Sequence, residues 1–187
     1  MLISYKLKET LWEIRGKHMI AYNHVNEYLN NIELPRSIEE VLSVEHELDG
    51  KELEFLQVAK RFLKENLDFE SYRLKQVHCI GTCKINLTRT ALYLLLDDEI
   101  ISVHKSILKD FNEEADWTLT NFRLDEIKNM DFDNDESGSS RYETGVLFLK
   151  VLNDRGAVRN RTLRHLNPNH FQCFHDFYIN MQQNRTV

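Results

Sequence analysis

The stretch GVLFLKVLNDRGAVRNRTLRHL, residues 145–166, decides the fold. Gly145–Leu152 and Val158–Leu166 are runs of strand length rich in Val and Leu, and Asn153-Asp154-Arg155-Gly156 lies between them. Asn, Asp and Gly accept the left-handed backbone that tight turns need, so the two runs predict a β-hairpin. Directly after it, Asn167 suits a helix N-cap and Pro168 the first helical position, where the missing N–H would be unpaired anyway. Phe171, Phe174, Phe177, Tyr178 and Met181 then form a wide apolar stripe, which predicts a final helix with one aromatic face.

Upstream, further short runs rich in β-branched, aromatic and Leu residues read as strands: Tyr72–Ile80, Lys84–Leu96, Ile100–His104, Trp117–Phe122 and Lys128–Phe132. With the hairpin they make about seven strands, the number and spacing of a small antiparallel barrel or sandwich. The final helix is then expected to plug the open end. Residues 1–68 read as helix instead. Ser37-Ile38-Glu39-Glu40 has capping-box spacing, and Asp49-Gly50-Lys51-Glu52 offers a second start. Leu53, Leu56, Ala59, Phe62 and Leu63 recur at helical spacing, which predicts a helix over Lys51–Asn66. An earlier helix is expected around Lys6–Leu29, weakened at Gly16, because glycine costs about 1 kcal/mol inside a helix.

Composition excludes several classes. The chain has 187 residues with 42% hydrophobic, 10% aromatic and 29% charged residues, and a net charge of −6. It is therefore long and apolar enough to build a core and unlike a disordered chain. No apolar run reaches the roughly 18 residues of a membrane span. A pI near 5.8 argues against nucleic-acid binding by bulk charge. Lys6, Lys8 and Glu9 interrupt any export signal, and three cysteines suit reduced thiols, so a cytoplasmic location is expected. Charge is uneven: residues 97–136 hold 13 acids against four bases, and residues 150–164 hold five bases against Asp154 alone.

The order of elements resembles a bacterial pleckstrin-homology-like (PH-like) domain of the GRAM-like kind. The matching pieces are LTRTALYLLL (Leu87–Leu96), FRLDEIKNMDF (Phe122–Phe132), GVLFLKVLNDRG (Gly145–Gly156) and PNHFQCFHDFYINM (Pro168–Met181). The resemblance implies a scaffold that binds proteins, peptides or lipid head groups, usually without catalysis. Lipid-binding members tend to carry a basic cluster at the first hairpin. The corresponding YRLKQVHCIGTCK (Tyr72–Lys84) offers Arg73, Lys75 and Lys84 but no cluster at the turn, which argues against inositol-phosphate recognition. The expected architecture is α+β: a helical segment, residues 1–68, packed on a PH-like antiparallel barrel with a C-terminal helix, residues 69–187.

Arg155, Arg159, Arg161 and Arg164 are the candidate ligand-binding residues. Arg159 and Arg161 are two apart, so in a strand they project from one face and can grip carboxylate or phosphate with parallel guanidinium forks. The competing reading pairs them with the protein's own acidic region or leaves them solvated. Asp133-x-Asp135-x-Ser137-Gly138 resembles half of a calcium loop, but the twelfth position is Thr144 rather than Glu. His78, Cys79, Cys83, Cys173 and His175 lack the paired spacings of a zinc site. No P-loop, GxGxxG, GxSxG or HExxH occurs. The expectation is a cytoplasmic interaction module for a protein or peptide partner, with no catalysis, metal or cofactor. The alternatives are a divalent-metal hydrolase or nuclease using acids of Asp97–Glu136, and a peripheral binder of anionic lipid.

Overall fold

The structure is a computed structural model that describes residues 24–44, 48–86, 88–113, 115–123, 125–134, 145–152 and 155–184. The expected hairpin is present with the expected bounds. β7 (Gly145–Leu152) and β8 (Val158–Leu166) pair antiparallel from Leu152↔Val158 to Gly145↔Leu166, and Gly156 takes a left-handed φ of 73° in the connection. The other long strands are β2 (Gln76–Asn86), β3 (Arg89–Leu96), β4 (Glu99–Ser106), β5 (Thr118–Arg123) and β6 (Ile127–Asn134). They hydrogen-bond antiparallel in the order β5-β4-β3-β2-β8-β7-β6, and a two-residue β1 (Arg36–Ser37) pairs with β2. The chain is thus α+β with a bent meander whose last strand returns to its first, consistent with a PH-like fold.

Two strand expectations need correction. The sequence predicts one strand ending at Ile80 and the next beginning at Lys84, with a break at residues 81–83. Instead β2 runs straight through Gly81, and the chain reverses after Asn86, whose Oδ1 accepts from the Thr88 N–H at 2.9 Å. Gly81 answers a packing need: a Cβ there would stand 2.6 Å from the Tyr93 hydroxyl across the ladder. Tyr72, expected in that first strand, ends a one-turn helix, α4 (Phe69–Tyr72). The sheet is also open rather than closed, because β5 and β6 do not pair among the described residues. The Glu126 N–H donates to Arg123 O at 3.0 Å, and the Leu152 N–H donates to Glu126 O at 2.9 Å. The connection therefore turns onto β7 instead of running back along β5.

β3 is almost wholly buried because both of its faces are covered. Leu92, Leu94 and Leu96 join a core with Phe55, Leu56, Ala59 and Leu63 of α3 (Gly50–Asn66). Ala91, Tyr93 and Leu95 point the other way, into a second core inside the bent sheet. Period-two alternation is invisible in a strand of this kind. α3 lies close to the predicted Lys51–Asn66 and packs Phe55 edge-on to Phe111 and stacked on Trp117, with ring centroids 5.4 and 5.9 Å apart. Asp49 occupies its N-cap position without a side-chain hydrogen bond. Residues 24–30 form helix α1, with Val25 and Leu29 in the same core. The rest of the expected Lys6–Leu29 helix lies outside the described residues.

α2 (Ile38–Ser43) carries the predicted capping box. The Glu40 N–H donates to Ser37 Oγ at 3.2 Å, and the Ser37 N–H donates to Glu40 Oε2 at 2.9 Å. At the far end Lys60, buried in α3, donates to Val41 O at 3.1 Å and Val44 O at 3.0 Å, and burial pushes its ammonium down to about 8. Ser37→Ala, which removes one half of the box, is expected to cost about 1–2 kcal/mol of unfolding free energy, read from the urea midpoint.

α5 (Phe171–Asn184) closes one end of the inner core. A 3-10 turn, Pro168–His170, precedes it, so the regular helix starts three residues later than the Pro168 position implied. Asn167 does cap this entry: its Oδ1 accepts from the Asn169 N–H at 3.0 Å. Phe174 and Phe177 are buried, with Phe171 and Tyr178 partly so.

Candidate functional site: the open end of the sheet

Register places three connections at the end away from α5. Asn86↔Arg89 and His104↔Thr118 put the β2–β3 turn and the β4–β5 loop side by side, and Lys84↔Arg164 brings the β7–β8 turn to the same end. β2 and β8 pair at Lys84↔Arg164, and from there β8 leads back to Val158 and the β7–β8 turn. Residues directly opposite in a ladder share a face. Arg161 lies opposite Leu149 and Arg159 opposite Val151, both of which line the inner core, so these two arginines continue the inward face past the point where the core ends. Both are exposed.

Facing them across the opening is a polar set the sequence reading missed. On β4, Ile100, Ser102 and His104 point inward by alternation from Ile100, which belongs to the inner core. The Arg89 guanidinium donates to His104 Nδ1 at 3.2 Å, and His104 Nε2 lies 3.5 Å from Thr120 Oγ1. A guanidinium only donates, so Nδ1 must accept and the ring proton sits on Nε2, directed at the Thr120 hydroxyl. Burial, then the charges of Arg89 and Arg161, push His104 down to about 4, which keeps the ring neutral near pH 7. One register step deeper, Ser102 is 1% exposed and its Oγ has no hydrogen-bond partner.

The four predicted arginines do not form one cluster. Arg159 and Arg161 share the inward face, Arg164 stands on the outer face opposite Val146, and Arg155 lies in the turn. Among the described residues no carboxylate lies within ion-pair distance of Arg159, Arg161 or Arg164, whereas Arg73, Lys75, Lys109 and Arg123 each have at least one. The opening therefore presents guanidinium groups from two sides, a neutral imidazole between them and hydroxyls beneath. Such a set can receive an anionic oxygen with charge-assisted hydrogen bonds. Exposed Leu108, in the β4–β5 loop, and exposed Val158, at the start of β8, lie at the same end.

Acids of the Asp97–Glu136 region are spread over separate pairs: Asp98 and Glu99 with Lys75, Asp116 with Lys109, Asp125 with Arg123. No group of three or more His, Cys, Asp or Glu side chains placed to hold a metal occurs among the described residues. Most of the calcium-like stretch, residues 135–144, lies outside them. No described helix is long and apolar enough to cross a membrane.

No family model and no curated protein matches the chain. Similar solved structures include the hSac2 domain from human phosphoinositide phosphatase Sac2 (13% identity, 69% of this chain and 83% of that chain, TM-score 0.42). Two others are the PDZ-RhoGEF DH/PH domains in complex with GTP-gamma-S activated RhoA (14%, 72% and 42%, TM-score 0.37) and Vav1 inhibited by an allosteric inhibitor (16%, 70% and 36%, TM-score 0.37). The matches span less than half of the latter two chains.

Proposed function

We propose that this chain is a non-catalytic interaction module, PH-like and of the bacterial GRAM-like kind, that works in the cytoplasm and docks an acidic peptide segment of a partner protein. The observation that supports this reading most is the pair Arg159 and Arg161. They project from one strand face into an opening that already holds Arg89 and His104, with no carboxylate of the described chain bound to them. Guanidinium forks match carboxylates bidentately, and Leu108 and Val158 supply apolar contact beside the charges.

Fluorescence anisotropy with a fluorescein-labelled peptide of alternating glutamate and leucine tests the reading. Binding that weakens with added salt is expected. The double variant Arg159→Glu, Arg161→Glu should lose at least about tenfold in affinity, because charge-assisted hydrogen bonds contribute about 1.5–3 kcal/mol each. Arg164→Glu, on the opposite face, should bind within about twofold of wild type. Binding to vesicles containing phosphatidylserine but not to the peptide overturns the peptide reading in favour of anionic lipid. Binding to neither overturns both.

A further inference from the structure

At the other end of the sheet a thiol pair sits under the first turn of α5. Cys173 is the third residue of that 14-residue helix and half-exposed, and Cys79 of β2 is buried against it. Cys173 packs on the inner core that holds Cys79, and its Sγ lies 4.0 Å from the backbone oxygen of His78, the residue before Cys79; the neighbouring thiols favour the thiolate on Cys173 and the proton on Cys79. A helix N-terminus adds its positive end to the same preference. Cys173 also lines a surface cleft of about 220 Å³ together with Pro35, His78, Asp97 and Asp176. At its rim His78 Nε2 lies 2.5 Å from Asp97 Oδ1, and Cys173 Sγ is 4.0 Å from His78 O. The cleft is several times the volume of a water molecule, so a small peroxide can enter it.

We propose that Cys173 is a hydroperoxide-sensitive modification site and that Cys79 resolves it into a Cys79–Cys173 disulfide joining α5 to β2. In the first step the Cys173 sulfur attacks one oxygen of the hydroperoxide and gives up two electrons. The O–O bond breaks, and the departing oxygen takes a proton from water in the cleft. In the second step the Cys79 sulfur attacks the sulfenic sulfur of Cys173, the S–O bond breaks, and the thiol proton leaves with the hydroxyl as water. Two thiols are oxidised and one hydroperoxide is reduced. The neighbouring Cys79 thiol, opposed by burial and by Asp176, lowers Cys173 to about 6, so the attacking form is present near neutrality. Cys83 has no such partner; burial alone pushes its thiol up, and it stays reduced.

The test treats the full chain with hydrogen peroxide at neutral pH and reads intact mass and alkylated peptides. Wild type should lose about 2 Da, with Cys79 and Cys173 protected from iodoacetamide, Cys83 still alkylated, and the change reversed by dithiothreitol. Cys79→Ser should halt at a Cys173 sulfenic acid that dimedone captures. Cys173→Ser should leave Cys79 unmodified. Because a serine at buried position 79 can impair folding, wild type is also treated in the presence of dimedone, where adduct on Cys173 should compete with disulfide. Accumulation of Cys173 sulfenic or sulfinic acid in wild type without a disulfide overturns the resolving role. Oxidation of Cys173 no faster than that of free cysteine overturns the site.

Discussion

Phe174→Ala is expected to lower the unfolding free energy by about 3–5 kcal/mol, the usual cost of emptying a buried Phe site. The ring is completely buried, with its centroid 5.7 Å from that of Tyr93 and 6.4 Å from that of Phe132, so it ties α5 to both β3 and β6. These neighbours hang on rigid strands and cannot collapse into the space, which places the cost toward the upper end. Phe148→Ala is the matched control. Phe148 is 38% exposed on the outer face of β7, and its loss should cost under about 1 kcal/mol. Urea denaturation of both variants checks this, and equal losses would mean that α5 does not close the core.

Stability should also fall between about pH 6.5 and pH 4, starting above the range where ordinary carboxylates titrate. His170 is 8% exposed, and its Nδ1 lies 2.6 Å from the Tyr93 hydroxyl; burial pushes its pKa down to about 4. The unfolded chain binds that proton near pH 6.5. Between the two values the unfolded state holds a proton that the native state refuses, so acid favours unfolding, with a contribution approaching about 3 kcal/mol by pH 4. This stability is fully present above pH 6.5. His104, lowered for a similar reason, acts in the same direction, but less strongly, being half-buried. Glu40 and Asp116, whose carboxyls are held below the ordinary range by Ser37 and by Lys109, also lose their contributions in acid, at lower pH than the histidines. Unfolding free energies at pH 7.0, 6.0 and 5.0 therefore isolate the imidazoles. His170→Gln should flatten most of the change in that range, and an unchanged slope would assign it elsewhere.

The hairpin of residues 145–166 was legible because its turn residues and strand lengths agree, and the capping box at Ser37–Glu40 because its chemistry is local. Gly81 misled, since the same residue serves a turn or a close approach, and the aromatic ring that required it is twelve positions away on the next strand. Closure of the sheet was not legible, because which strands fail to pair depends on how the Arg123–Ile127 connection turns. Of the candidate site, Arg159 and Arg161 were visible as a strand pair. Arg89, Ser102, His104 and Thr120 were not, because they come from three strands and become one surface only after β3, β4 and β5 are in register.

The junction between the first and last strands of the meander has a kinetic consequence. Lys84 and Arg164, whose pairing makes β2 and β8 neighbours, stand 164 − 84 = 80 positions apart along the chain. Bringing such distant segments together costs configurational freedom before any contact returns it. The local hairpins can assemble early, but β2 and β8 must find each other across most of the intervening polypeptide. Refolding is accordingly expected on the millisecond-to-second timescale of topologies rich in long-range pairing, with this seam as its slow step.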